Sequence, residues 1–194
     1  MKIWLRALTC VLGLVALAPL AGATSIQLLP AASVVGVGDS FAIEIAISGL
    51  GPQGSPPSVG AFEVAVGFDP SQLGFEGASF GGLLGDPSNP AETITDVNAT
   101  AGLSDVAEVS LLSPPALDAL QPDGFVLATL TFQSLALGTS SLDLSKVVVS
   151  DGFGQRLAIA SLSGAEVNAV PEPAGFLSLA TALLILRKRL VALA

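Results

Sequence analysis

The chain has 194 residues, with seven Lys and Arg against sixteen Asp and Glu, a net charge of −9. It has no His or Tyr, and its single Cys and Trp, Cys10 and Trp4, both lie in an apolar N-terminal stretch. Beyond that stretch the composition excludes His-based triads, thiol nucleophiles and the usual zinc and copper ligand sets, and the acidic balance argues against nucleic acid as a partner.

The N-terminal stretch reads as a secretory signal peptide. Lys2 and Arg6 form its positive region, Ala7 to Leu17 its apolar region, and Ala21-Gly22-Ala23 a small-residue cleavage site. Cleavage by signal peptidase after Ala23 makes Thr24 the new N-terminus. Cys10 precedes most of the apolar run, whereas a lipidated cysteine follows it, so neither a lipid anchor nor a disulfide is expected.

The body, 24–169, is the size of one domain. It keeps only Lys146 and Arg156 as cations, against fifteen of the sixteen acids, a net charge of about −13. Short β-rich runs alternate with Gly, Pro, Ser and Asp, the pattern of an all-β sandwich or barrel. Ser25 to Leu29 is a first strand, stopped by Pro30, and Val34 to Val37 a second. In Phe41 to Ser48, Phe41, Ile43, Ile45 and Ile47 share one face and Glu44 turns to water. After a Gly/Pro loop, Val59 to Phe68 alternates again, with Phe62, Val64, Val66 and Phe68 on one side and Glu63 on the other.

Asp69-Pro70 starts a tight turn, because proline fixes φ and the carboxylate bonds nearby backbone N–H groups. Leu73, Phe75 and Phe80 return apolar side chains to the core, and Gly81 to Ala91 reads as loop. Glu92 to Val97 and Val106 to Leu112 are weaker strands, and Ser113 to Gln121 a Pro-containing connection with room for one helical turn. Asp123-Gly124 is a turn, and Phe125 to Phe132, apolar on both faces apart from threonines, a central strand. Leu142 to Leu144, Val147 to Ser150, Leu157 to Ala160 and Glu166 to Asn168 complete the series, with a turn at Asp151-Gly152.

The last segment, 170–194, is organised differently. Val170-Pro171-Glu172-Pro173 breaks any regular element, an uncharged apolar run follows from Ala174 to Leu186, and Arg187-Lys188-Arg189 closes it. As a helix the run spans roughly 20 Å, short of a ~30 Å hydrocarbon core. It has no polar face, however, and its three cations can snorkel to the interface and act as a stop-transfer signal. A short transmembrane helix is therefore expected rather than a core helix.

Two resemblances follow from these residues. Pro171-Glu172-Pro173, the apolar run and the basic end resemble the PEP-CTERM sorting signal of bacterial exported proteins. That resemblance implies processing around Val170 to Pro173 by an exosortase-type membrane protease. The chain would be held transiently at the inner membrane of a Gram-negative-type bacterium, then pass to the cell surface or the extracellular polymer. In the body, Val37-Gly38-Asp39-Ser40-Phe41, Gly60 to Val64 leading to Phe68-Asp69-Pro70-Ser71-Gln72-Leu73, and Asp123-Gly124 through Phe132 resemble a cohesin-type domain in order and spacing. This implies a jelly-roll β-sandwich of about nine strands, related to some carbohydrate-binding modules.

No catalytic residue is assigned. Paired carboxylates are the remaining route to hydrolysis, but fifteen acids bring some pair together by chance. Calcium is the metal that hard oxygen ligands would suit, with Asp69, Asp123 and Asp151 as loop candidates, although no EF-hand spacing is present and Asp at turns commonly bonds backbone. The expected function is that of an exported, non-enzymatic module binding an extracellular protein or polysaccharide. The alternatives are an accessory in polysaccharide breakdown and a purely structural matrix protein.

Overall fold

The computed structural model describes residues 23–171. The signal segment, Ala21, Glu172, Pro173 and the cluster Arg187, Lys188 and Arg189 lie outside the described residues. Among the described residues no helix is long and apolar enough to cross a membrane.

Eleven strands and one helix follow in order: β1 (Ser25–Pro30), β2 (Val34–Gly36), β3 (Ser40–Ser48), β4 (Val59–Phe68), β5 (Leu73–Phe80), β6 (Thr93–Thr100), β7 (Leu103–Ser110), α1 (Pro114–Leu120), β8 (Phe125–Ser134), β9 (Gly138–Asp151), β10 (Ser161–Ser163) and β11 (Ala165–Val170). They form two sheets, one of five strands in the order β10-β1-β3-β8-β5 and one of six in the order β2-β11-β9-β4-β7-β6. The expected all-β sandwich is what forms. All pairings are antiparallel except β1 with β10 and β2 with β11.

Period-two alternation builds the core. Ile43, Ile45 and Ile47 of β3 and Leu130 and Phe132 of β8 come from one sheet, and Phe62, Val64 and Val66 of β4 from the other. Phe132 is the hub. Its ring lies 6.2 Å from Phe41, 5.1 Å from Phe68 and 5.5 Å from Phe75, so it ties β3, β8 and β5 to β4 of the opposite sheet. Each such aromatic pair adds about 0.5–1.5 kcal/mol beyond the area it buries. As expected, β8 is flanked on both sides, by β3 and β5, and its threonines face away from the core.

Several expected boundaries are corrected. Leu73, Phe75 and Phe80 return to the core as expected, but the segment that carries them is a full strand; Gly74 and Gly77 weaken its alternation, and a register shift falls between Phe75 and Gly77. Leu142–Leu144 and Val147–Ser150 are one strand, because the irregularity at Ala65/Val66 of β4 absorbs an extra residue of β9 without ending it. Leu157 to Ala160 is not a strand. It is irregular chain whose Leu157 and Ile159 pack against the core, fastened by one bridge between Ser150 and Arg156. α1 makes nearly two turns rather than one, started by prolines at its first positions and burying Leu117. Val170, read as the start of the processing motif, ends β11 opposite Gly36, and its carbonyl accepts from Val37 N–H at 3.1 Å.

Candidate binding face on the six-stranded sheet

The inward residues of β4 and β7 leave the alternate ones on the outside, and the register sets these in rows. Ser150, Ala61, Val109 and Ile94 form one row across β9, β4, β7 and β6. Val148, Glu63, Ala107 and Asp96 form the next, and Lys146, Ala65, Asp105 and Asn98 the third. Leu117 of α1 and the 151–154 turn border this face at its Ala61 end. Its middle carries the half-buried methyl groups of Ala61 and Ala107, with Ala65 buried between its neighbours, so few long apolar side chains stand up from it. Ile94 is 58% exposed and Val109 45%, the apolar end of the patch. The opposite face of the sandwich presents Glu44, Thr129, Thr131 and Gln133 together with Ala42 and the exposed Leu29.

Charge is arranged across the rows. Lys146 Nζ donates to Glu63 Oε1, and this contact raises the lysine pKa. Asn98 donates to Asp96 Oδ2 at 2.6 Å. Partial burial pushes the Asp105 carboxyl up, the Glu63 charge adds to the push, and Lys146 opposes it. Asp105 Oδ1 is shut off from water and takes no hydrogen bond among the described residues. Three carboxylates against one ammonium leave the face negative.

Two features set its ends. β6 and β7 are joined by the two-residue turn Ala101-Gly102, and Gly102 takes a φ of +85°, which glycine adopts without strain. At the other end, the Gln121 carboxamide, just beyond α1, takes the place of a neighbouring strand for Val59. It accepts from Val59 N–H at 2.6 Å, donates to Val59 C=O at 2.8 Å, and donates to Leu83 C=O at 3.0 Å. An open groove of about 240 Å³ ends the face there, lined by Gly60, Ala61, Val109, Leu112 and Leu117. A second groove of about 420 Å³ runs beside β9 and is lined by Val147, Arg156, Leu157, Ile159 and Leu162.

The calcium candidates do not converge. Asp69 Oδ1 accepts from Ser71 Oγ at 2.7 Å and Ser71 N–H at 2.8 Å, bonds that lower its pKa. Asp123 Oδ1 accepts from Gly51 N–H at 2.7 Å, and Asp151 Oδ1 from Phe153 and Gln155 N–H at 2.9 and 2.8 Å. Asp69 and Asp151 thus bond backbone within their own turns, and Asp123 ties its turn to the separate loop at Gly51. Among the described residues no three acidic side chains gather where a metal ion could sit. Thr24, the residue expected to follow the signal cleavage, is buried and donates to Gly49 C=O at 3.2 Å, whereas Ala23 is exposed.

The sequence pattern places Glu63 outside β4. It gives no sign that Ala65, Ala107 and Val148 would adjoin it, because their juxtaposition depends on the pairing of β4 with both β7 and β9. Alanines at outward positions of the adjacent strands β4 and β7 are the signal, visible only once the register is known.

No family model matches the chain, and no curated protein matches its sequence. Solved structures do share its fold. The sixth cohesin of scaffoldin B from Acetivibrio cellulolyticus, determined in complex with a Cel5 dockerin variant, is 15% identical with a TM-score of 0.60, over 76% of this chain and 99% of that one. A type II cohesin from the cellulosome of the same organism gives 15% and 0.60, over 75% and 95%. A non-cellulosomal cohesin from the archaeon Archaeoglobus fulgidus gives 15% and 0.56, over 79% and 95%. The described part of the chain therefore has the cohesin fold.

Proposed function

We propose that this chain is an exported, non-enzymatic docking module that holds a protein partner on the outer face of β9, β4, β7 and β6. The observation that carries the reading is that face itself: an outer sheet surface with the small Ala61 and Ala107 in its middle and two large exposed aliphatic side chains, Ile94 and Val109, at one end. Flat apolar surface of this kind marks interaction sites. Its surplus of carboxylates suits a partner presenting Lys or Arg around an apolar centre, and makes association salt-sensitive. Two of the solved cohesins that share the fold were determined with a dockerin bound, which supports a protein as the ligand class.

Delivery is part of the same proposal. Signal peptidase cleaves after Ala23, the tail from Pro171 onward holds the chain at the inner membrane, and an exosortase-type protease releases it to the surface or the extracellular polymer. The composition of the two ends supports this route.

The test is capture on the immobilised full chain, comparing extracellular proteins of the source cells with a panel of polysaccharides. The reading expects a protein to be retained and Ala107→Arg, which plants a long side chain in the flat centre, to weaken its retention at least about tenfold, as for a central interface position. Retention of a polysaccharide equally by both forms would contradict it.

A further inference from the structure

Beneath the proposed face, on the inner side of β7, stands Glu108. It is fully buried, and neither carboxyl oxygen meets a hydrogen-bond donor among the described residues. Its register neighbours are Phe62 of β4 and Thr95 of β6. The Phe62 ring packs against Phe80 of β5 at 6.2 Å, and Leu84 closes the same region. Among the described residues no cation offsets the carboxyl, and Lys146 is held by Glu63 on the other side of the sheet. Glu63 of β4, Asp96 of β6 and Asp105 of β7 lie on the other side of the sheet, and Glu76 of β5 is exposed. Glu92, just before β6, has its carboxylate occupied by Asp86 N–H at 3.0 Å and Asn89 Nδ2 at 2.9 Å. An ionised carboxylate in such a site is costly, so burial favours the protonated form there.

We propose that Glu108 is a proton-operated latch for the binding face: protonated, it lets β6 and β7 lie flat against β4, and ionised, it draws that hairpin off the sandwich toward water. The inference rests on the docking face proposed above and names its regulation. Two structural facts give the latch its direction. β6 and β7 form the end of the six-stranded sheet, joined to the rest only through β4. Every residue of β6 after Thr93 is exposed, so the packing that freeing the hairpin forfeits is that of β7, whose Ser104 and Val106 are buried and which pairs with β4. The side chains next to Glu108 along β7, Ala107 and Val109, belong to the face, as do Ile94, Asp96 and Asn98 of β6. Hydrating the carboxylate by lifting the hairpin therefore takes away half of the docking surface, and the lost proton goes to solvent.

The sign follows from burial, which raises the Glu108 pKa from 4.5 to about 7. The closed form binds the proton more tightly than the open form does, so opening is suppressed in acid and rises with pH across that interval. Between about pH 5 and about pH 8 the open population should grow on the order of a hundredfold.

The experiment is amide hydrogen exchange on the full chain across that pH range, corrected for intrinsic exchange, read on peptides of β6 and β7 against peptides of β3 and β8. The latch predicts the pH-dependent loss of protection in β6 and β7 alone, and its absence in Glu108→Gln. Equal protection of the wild-type hairpin at both ends of the range would overturn it, with no reference to the variant. So would the same loss in Glu108→Gln. Because no partner is needed, this failure is separate from failure of the docking reading, which would show as a hairpin that opens with pH while retention of the captured protein stays constant.

Discussion

Replacing Gln121 by leucine keeps the volume of the side chain and removes its amide. Gln121 is 4% exposed and satisfies both the N–H and the C=O of Val59, which is fully buried at the start of β4, as well as Leu83 C=O. β7 pairs with β4 only from Ala61 onward, so no strand stands ready to replace those bonds. Leu83 is only half-buried, and water can reach its carbonyl. Two buried backbone groups are then stranded, at about 1–3 kcal/mol each, and the expected loss is about 2–5 kcal/mol. Urea denaturation measures it, with an unchanged m-value showing that the unfolded surface is the same. Gln121→Glu should lose a similar amount at neutral pH, where its carboxylate accepts from Val59 N–H but faces two carbonyls, and should recover part of it in acid, where a protonated carboxyl donates again. A loss below about 1 kcal/mol for the leucine variant would refute the idea that this amide stands in for a strand.

Other outcomes follow from the packing and charge described. Phe132→Ala removes the ring shared by three aromatic partners and should cost about 3–5 kcal/mol in the same denaturation assay. Gly60→Ala sets a methyl group against the Asp151 carbonyl oxygen and should lower stability by about 1–3 kcal/mol while β4 and β9 shift apart. Lys146→Ala breaks an exposed ion pair and should leave the thermal midpoint nearly unmoved, yet remove the charge that holds the Asp105 pKa down, so that retention of the captured protein weakens with mild acid more than in the wild type. Replacing Pro171-Glu172-Pro173 by alanines should block release of the C-terminal tail while export continues, read from the mass of the exported chain; release at the usual mass would count against the sorting proposal.

Much of the sandwich was legible because its strands obey a strict period of two. Phe41 to Ile47 and Phe62 to Phe68 declare both their structure and their buried face, and the Asp69-Pro70 turn declares its hydrogen bonds. Where the period fails, so does the reading. Gly74 and Gly77 blur β5, and an irregularity of register makes the single strand β9 look like two. Leu157 and Ile159 imitate a strand because they alternate, although they bury themselves from irregular chain. Glu108 was not legible at all. Alternation sets Val106, Glu108 and Ser110 on one side of β7, but a carboxyl on that row is expected to face water. Only the tertiary packing of Phe62, Phe80 and Leu84 turns it inward. The binding face was visible as Glu63 alone, since the other rows come from strands far apart in sequence.

The central claim is that the outer face of β9, β4, β7 and β6 holds the partner, and position-specific photo-crosslinking tests it most directly. A crosslinker at Ala107, in the middle of that face, is compared with one at Thr131, on the outside of the five-stranded sheet, both in the full chain exposed to the extracellular proteins of the source cells. The account predicts one protein joined at Ala107, absent at Thr131 and lost as salt is raised. Equal yields from the two positions, or a product at Thr131 alone, would contradict it.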